Sequence, residues 1–166
     1  MCVSVSLKRP DLIKGIILFG PALAVDPNLH PIVQKTVNFF NNCCCRNLRL
    51  FPADQRLFSR NPFFKEYFQE NPEFFHEKLN VRTFAAIITG LRNIQQNALN
   101  FDGSVLVIQG EKDKIVSCQQ VKDFIKNCKS PDKELMIYPE MFHVVTHEPE
   151  FPEIIEKCID WITSRT

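Results

Sequence analysis

An excess of charge of either sign is missing from this chain: Lys and Arg number 20 against 19 for Asp and Glu. Without a basic surplus there is little to neutralise phosphates, so nucleic acid is not an expected partner. Long hydrophobic runs are also missing. The longest, "LIKGIILFGPALAV", is interrupted by Lys14, Gly20 and Pro21, too short and too broken for a membrane span. The opening "MCVSVSLKRP" lacks the basic-then-apolar order of a secretory signal, and none is expected. A disulfide framework is lacking too. Seven cysteines include the adjacent Cys43, Cys44 and Cys45, and neighbouring cysteines form strained bridges. The expected setting is a reducing cytoplasm. For the cysteine run, burial of small apolar thiols competes with reversible acylation near a lipid surface.

What is present suffices for a packed core: 166 residues, 45% of them hydrophobic and 23% charged. "KGIILFG" (14–20) is a short apolar run between glycines and reads as a strand buried on both faces. Ahead of it, "CVSVSLKRP" ends as a helix does before proline. "SVLVIQG" (104–110) and "ELMIYP" (134–139) read as two more strands, separated by the helical spacing of Val121, Phe124, Ile125 and Cys128. That is one βαβ unit, hence a parallel sheet. Phe151, Ile154, Ile155, Cys158, Ile159 and Ile162 predict a last helix that covers the sheet with a continuous apolar stripe.

Residues 25–100 differ. They hold most of the fifteen phenylalanines and a single glycine, Gly90, with helical spacing in Phe84, Ile87, Ile88, Leu91, Ile94 and Ala98. This reads as a helical cap inserted between two strands, leaving 1–24 and 101–166 as a partial α/β core. Asn61–Pro62 and Asn71–Pro72 each suit a capped helix start with proline in the first turn. The Phe-rich "NPFFKEYFQENPEFFHEKL" reads as the packed underside of the cap or as a lid resting on a membrane surface.

The chemistry lies at the strand ends. In parallel α/β sheets functional groups collect on loops beyond the carboxyl ends of strands. Asp113 falls three residues past the strand ending at Gly110, and His143 in the loop after the strand ending near Tyr138. Each alone has an ordinary reading, Asp113 as a turn former and His143 as a structural histidine. Together at one rim they read as acid and base, the carboxylate fixing the imidazole tautomer and stabilising the imidazolium. "HVVTH" also sets His143 and His147 four apart, but no Glu follows the first, Pro149 comes soon after, and no third ligand is evident. Neither a metal nor another cofactor is expected.

From "RPDLIKGIILFGPAL", through "VLVIQGEKDKIVS", to "KELMIYPEMFHVVTHEPE" and "CIDWITSRT", the chain resembles the C-terminal half of the monoacylglycerol lipases, in the serine aminopeptidase S33 or hydrolase-4 group of α/β-hydrolases. The resemblance implies Asp113 as triad acid in a G-x-x-D-x-x-V context and His143 as triad base in an H-x-x-x-H/K-E context. It implies hydrolysis of a small carboxylic ester, a fatty-acyl glycerol, through an acyl-serine. The family's G-x-S-x-G elbow and glycine-rich oxyanion loop are not in these residues, and Ser4 and Ser6 lack flanking glycines. The expectation is a nucleophile upstream of Met1, on the N-terminal half of the fold, and a chain inactive alone. The rival readings are a non-catalytic remnant or binding module, and an S33-type aminopeptidase.

Overall fold

The computed structural model describes residues 2–25, 35, 37, 39, 47–52, 54–71 and 78–165. Helix α1 (Cys2–Lys8) leads through a turn at Pro10 into strand β1 (Gly15–Phe19). After the 25–100 region come β4 (Ser104–Gly110), α4 (Cys118–Asn127), β5 (Lys133–Tyr138), a short 3₁₀ turn (Val145–His147) and the last helix, α5 (Phe151–Thr163). The three strands form one parallel sheet in the order β1-β4-β5, with Gly15 opposite Ser104 and Gly110 opposite Tyr138.

The central strand explains why the apolar runs are continuous. Val105 and Val107 face a core shared with Val3 of α1 and Val121 and Phe124 of α4. Leu106 and Ile108 face the opposite core, made with Ile154, Cys158 and Trp161 of α5. Helices thus cover both faces, and alternate residues of β4 are buried on opposite sides. Local chemistry sets the helix starts. Ser117 caps α4, its hydroxyl accepting from the Gln120 N–H, and Asn61 caps α2 (Pro62–Glu70), its side chain accepting from the Phe63 N–H.

One expectation needs correction. The last helix does not bury one continuous stripe. Ile154, Cys158 and Trp161 are buried, whereas Ile155, Ile159 and Ile162 stand 41%, 55% and 48% exposed. The apolar arc of the sequence is wider than the strip that packs on the sheet, and that strip is filled by Ile154, Cys158 and Trp161 at one side of the arc. The described residues of 25–100 are mostly helical and also carry a short strand pair. Alongside α2 and α3 (Val81–Asn97), β2 (Arg49–Pro52) and β3 (Lys78–Asn80) form an antiparallel pair. Segments of three and four residues are too short to show a period in sequence. Cys43, Cys44, Cys45 and Pro72 lie outside the described residues. Among the described residues, Cys2, Cys118, Cys128 and Cys158 are free thiols, and no helix is long and apolar enough to cross a membrane.

Candidate active site

Two glycines let the strand ends close on the histidine loop. Gly20, just past β1, has φ +50°, and a Cβ there would lie 2.5 Å from the His143 carbonyl oxygen. A Cβ on Gly110, at the end of β4, would collide with the Met141 and Phe142 carbonyl oxygens. Beyond Gly110 the chain turns tightly, the Lys112 N–H donating to the Met141 carbonyl at 3.2 Å and the Asp113 N–H to the Gly110 carbonyl at 3.4 Å. The registered ends of β4 and β5 thereby bring Asp113 and His143 to the same rim.

Asp113 is a carboxylate with every direction occupied. Its Oδ1 accepts from the backbone N–H of Ile115 at 2.8 Å and of Val116 at 2.9 Å. Its Oδ2 takes the Gln109 side-chain amide and His143 Nδ1, each at 2.9 Å. The carboxylate has no solvent exposure, and the imidazole is 22% exposed. Burial works to raise the Asp113 carboxyl. The bond to His143, the N–H groups of Val116 and Ile115, and the imidazole charge outweigh it and hold the group below the usual carboxylate range. An ionised Oδ2 can only accept, so Nδ1 carries a hydrogen, and in the neutral imidazole Nε2 then keeps its lone pair, the tautomer a general base requires.

The histidine loop is clamped from the cap side. The Val144 N–H donates to the Phe58 carbonyl at 2.7 Å, and the Phe58 ring meets the imidazole edge-on at 6.0 Å. Glu148, its side chain wholly buried, accepts from Ser59 Oγ at 2.6 Å, from the Arg60 N–H at 3.0 Å and from Arg60 Nε at 2.8 Å. Arg60 also bonds Glu150, and Asn61 donates to the His147 carbonyl at 3.0 Å. His147 stands apart from the Asp113 contact, beside Thr146 and against the Phe64 ring at 4.8 Å. Among the described residues no three His, Cys, Asp or Glu side chains gather as metal donors.

Sequence reasoning brought together the two residues that meet, but missed Gln109, Phe58, Arg60 and Glu148. Gln109 did leave a signal: it is the one polar side chain at the end of the apolar run "VLVIQG". Glu148 also left one, as the last position of the H-x-x-x-H/K-E pattern. Phe58 and Arg60 left none, since their partners are far along the chain. Of the two serines considered, Ser6 is buried on α1 and Ser4 is half-buried there.

Residues 1–150 match the family model described as serine aminopeptidase, S33. A monoacylglycerol lipase of Mycolicibacterium smegmatis is 23% identical over 157 residues, covering 95% of this chain and 56% of its own length. The human monoglyceride lipase is 22% identical, covering 100% of this chain and 55% of its own length. The chain therefore spans about half the length of the curated relatives it matches. Among solved structures, the monoacylglycerol lipase of Paleococcus ferrophilus superposes with a TM-score of 0.86 at 22% identity, over 99% of this chain and 64% of that one. A soluble variant of the Saccharomyces cerevisiae monoglyceride lipase gives a TM-score of 0.78 at 18% identity, over 99% of this chain and 62% of that one. With a parallel sheet flanked by helices and a family match over nearly its whole length, the chain belongs to the serine aminopeptidase S33 family, as a monoacylglycerol lipase-like part of an α/β-hydrolase fold.

Proposed function

We propose that this protein is a serine hydrolase of the monoacylglycerol lipase type, cleaving carboxylic esters, with His143 as general base and Asp113 as the acid that orients it. The bond from His143 Nδ1 to a buried, ionised Asp113 at the ends of two parallel strands is the observation that carries this reading. In the reaction, Nε2 of His143 takes the proton of a serine hydroxyl as its oxygen attacks the acyl carbon. The imidazolium then returns that proton to the departing alkoxide, and an acyl-serine remains. Water, deprotonated by the same nitrogen, attacks the acyl-serine. The carboxylic acid leaves and the serine is restored.

The serine belongs, in this proposal, to residues upstream of Met1. The chain's coverage of only 56% and 55% of the two curated relatives supports that placement. An apolar groove of about 840 Å³ supports an acyl substrate. It runs from Pro21, next to the Gly20 contact with His143, past Leu18, Leu23, Ile87, Leu91 and Ile94. Among the described residues, the one charged side chain lining it is Arg82, which would repel the ammonium group an aminopeptidase must hold. This favours esters over peptide amino termini. Contact with a membrane surface through the cap is part of the same proposal, supported by Phe63 and Tyr67, one helical turn apart on α2 and 75% and 51% exposed.

The test is to express the open frame that precedes codon 1 together with this chain and treat the product with a fluorophosphonate. Labelling is expected, as is turnover of a monoacylglycerol, and His143→Ala should abolish both. A frame with no G-x-S-x-G upstream, or labelling indifferent to His143→Ala, would leave the non-catalytic remnant as the correct reading.

A further inference from the structure

Gln109 is wholly buried at the end of β4, in a strand that is otherwise apolar from Val105 to Ile108. Its amide nitrogen makes two bonds, one to Asp113 Oδ2 at 2.9 Å and one to the Gly110 carbonyl at 3.1 Å. Its carbonyl oxygen, equally buried, has no partner among the described residues. The amide cannot be turned over to relieve this, because both neighbours of the nitrogen are acceptors and the flipped oxygen would face them. An apolar side chain of the same length would fill the place without leaving an orphaned oxygen, and buried polar groups normally find partners. The position therefore carries a cost that packing does not explain.

From this geometry we infer that Gln109 is a positioning residue for the acid of the pair, a role that rests on the reading of Asp113 and His143 as acid and base. Asp113 Oδ2 receives the imidazole and the Gln109 amide together, while Oδ1 is held by two backbone N–H groups. Without the amide, Oδ2 would be fixed by the imidazole alone, and the carboxylate could rotate out of line with Nδ1. A Lys or Arg at this point would also hold the oxygen, but its charge would offset the carboxylate and weaken stabilisation of the imidazolium. A neutral donor fixes Asp113 and leaves its charge to His143. The Gly110 carbonyl, locked in turn by the close approach of the Met141 loop, aims that donor.

The experiment pairs Gln109→Met with Gln109→Glu, which keeps the shape but replaces the donor by an acceptor. In the 166-residue chain, the proton on His143 Nδ1 is followed by NMR and identified by its loss in His143→Gln. It should broaden or move in both variants, while the thermal midpoint of Gln109→Met stays level or rises. In the serine-bearing form, Gln109→Met should lower kcat about tenfold to a hundredfold with KM unchanged. Should either variant fail to fold, the unmodified protein decides: the Gln109 amide hydrogens should exchange slowly, and should exchange fast in Asp113→Ala. A lowered midpoint with the Nδ1 proton unmoved, or rapid amide exchange in the parent, would overturn the role. If Asp113→Asn and His143→Ala leave hydrolysis intact, the acid–base reading itself fails, an outcome separate from loss of the Gln109 effect alone.

Discussion

At Asp113 one side chain is asked to end a strand turn and to hold a base, and the two tasks use different oxygens. Oδ1 belongs to the turn, through Ile115 and Val116, and Oδ2 belongs to the site, through Gln109 and His143. The carboxyl is held below its ordinary value, so its charge-linked contribution to folding is fully present above the unfolded value of about pH 4. That contribution drains away as acid carries the group down through its folded value. Asp113→Asn cannot titrate and keeps most of the volume. Thermal midpoints measured from neutral pH into acid should therefore converge for the two proteins below about pH 4, the parent falling more steeply. Parallel curves would mean that Asp113 is not the stabilised carboxylate described here.

Among the elements, the tie between residues 58–61 and the histidine loop does what no single helix or strand does. Glu148 is a buried anion whose bonding neighbours, Ser59, Arg60 and Phe142, all donate to it. Arg60 is 30% exposed on its side chain, so solvent screens part of the pair. Arg60→Met should cost about 1–3 kcal/mol, the range for leaving a charged hydrogen-bond partner in the interior short of a donor. The shift in the urea midpoint measures it. Loss of hydrolysis in excess of the loss of folded protein would show that the clamp also aims His143. A shift near zero would show that backbone and Ser59 donors suffice for Glu148. The elements most legible in sequence were β1, β4, β5 and α4, because continuous apolar runs and one cap fix them locally. The clamp was illegible because its partners lie 88 residues apart.

For the molecule as a whole, the described residues leave a strand edge and an apolar stripe uncovered. Strand β1 pairs with β4 on one side, and it is the terminal strand in the sheet order. On α5, Ile155, Ile159 and Ile162 form a second apolar stripe turned away from the packed face. Open strand edges and contiguous apolar patches both recruit other chains. The 166-residue chain expressed by itself should therefore self-associate in size-exclusion chromatography. Replacing Ile155 and Ile159 by Gln should raise the monomer fraction without lowering the thermal midpoint. A parent that elutes as a monomer at high concentration would mean that these surfaces are not sticky in the isolated chain.

The sequence by itself determined where the parallel strands lie, that one helix follows each of the last two, and that Asp113 and His143 lie in the loops just beyond two strand ends. These are local properties: apolar continuity, glycine at the ends of β1 and β4, and a cap residue before a helix. Tertiary structure alone decided that Oδ2 of Asp113 would be shared between His143 and Gln109, that Phe58 and Arg60 would close on the histidine loop, and which stripe of α5 would be buried. Each of these depends on register and on faces meeting across long stretches of chain. Shifting β5 along β4 by one residue would keep every apolar run and lose the contact, because side-chain direction reverses with each residue of a strand.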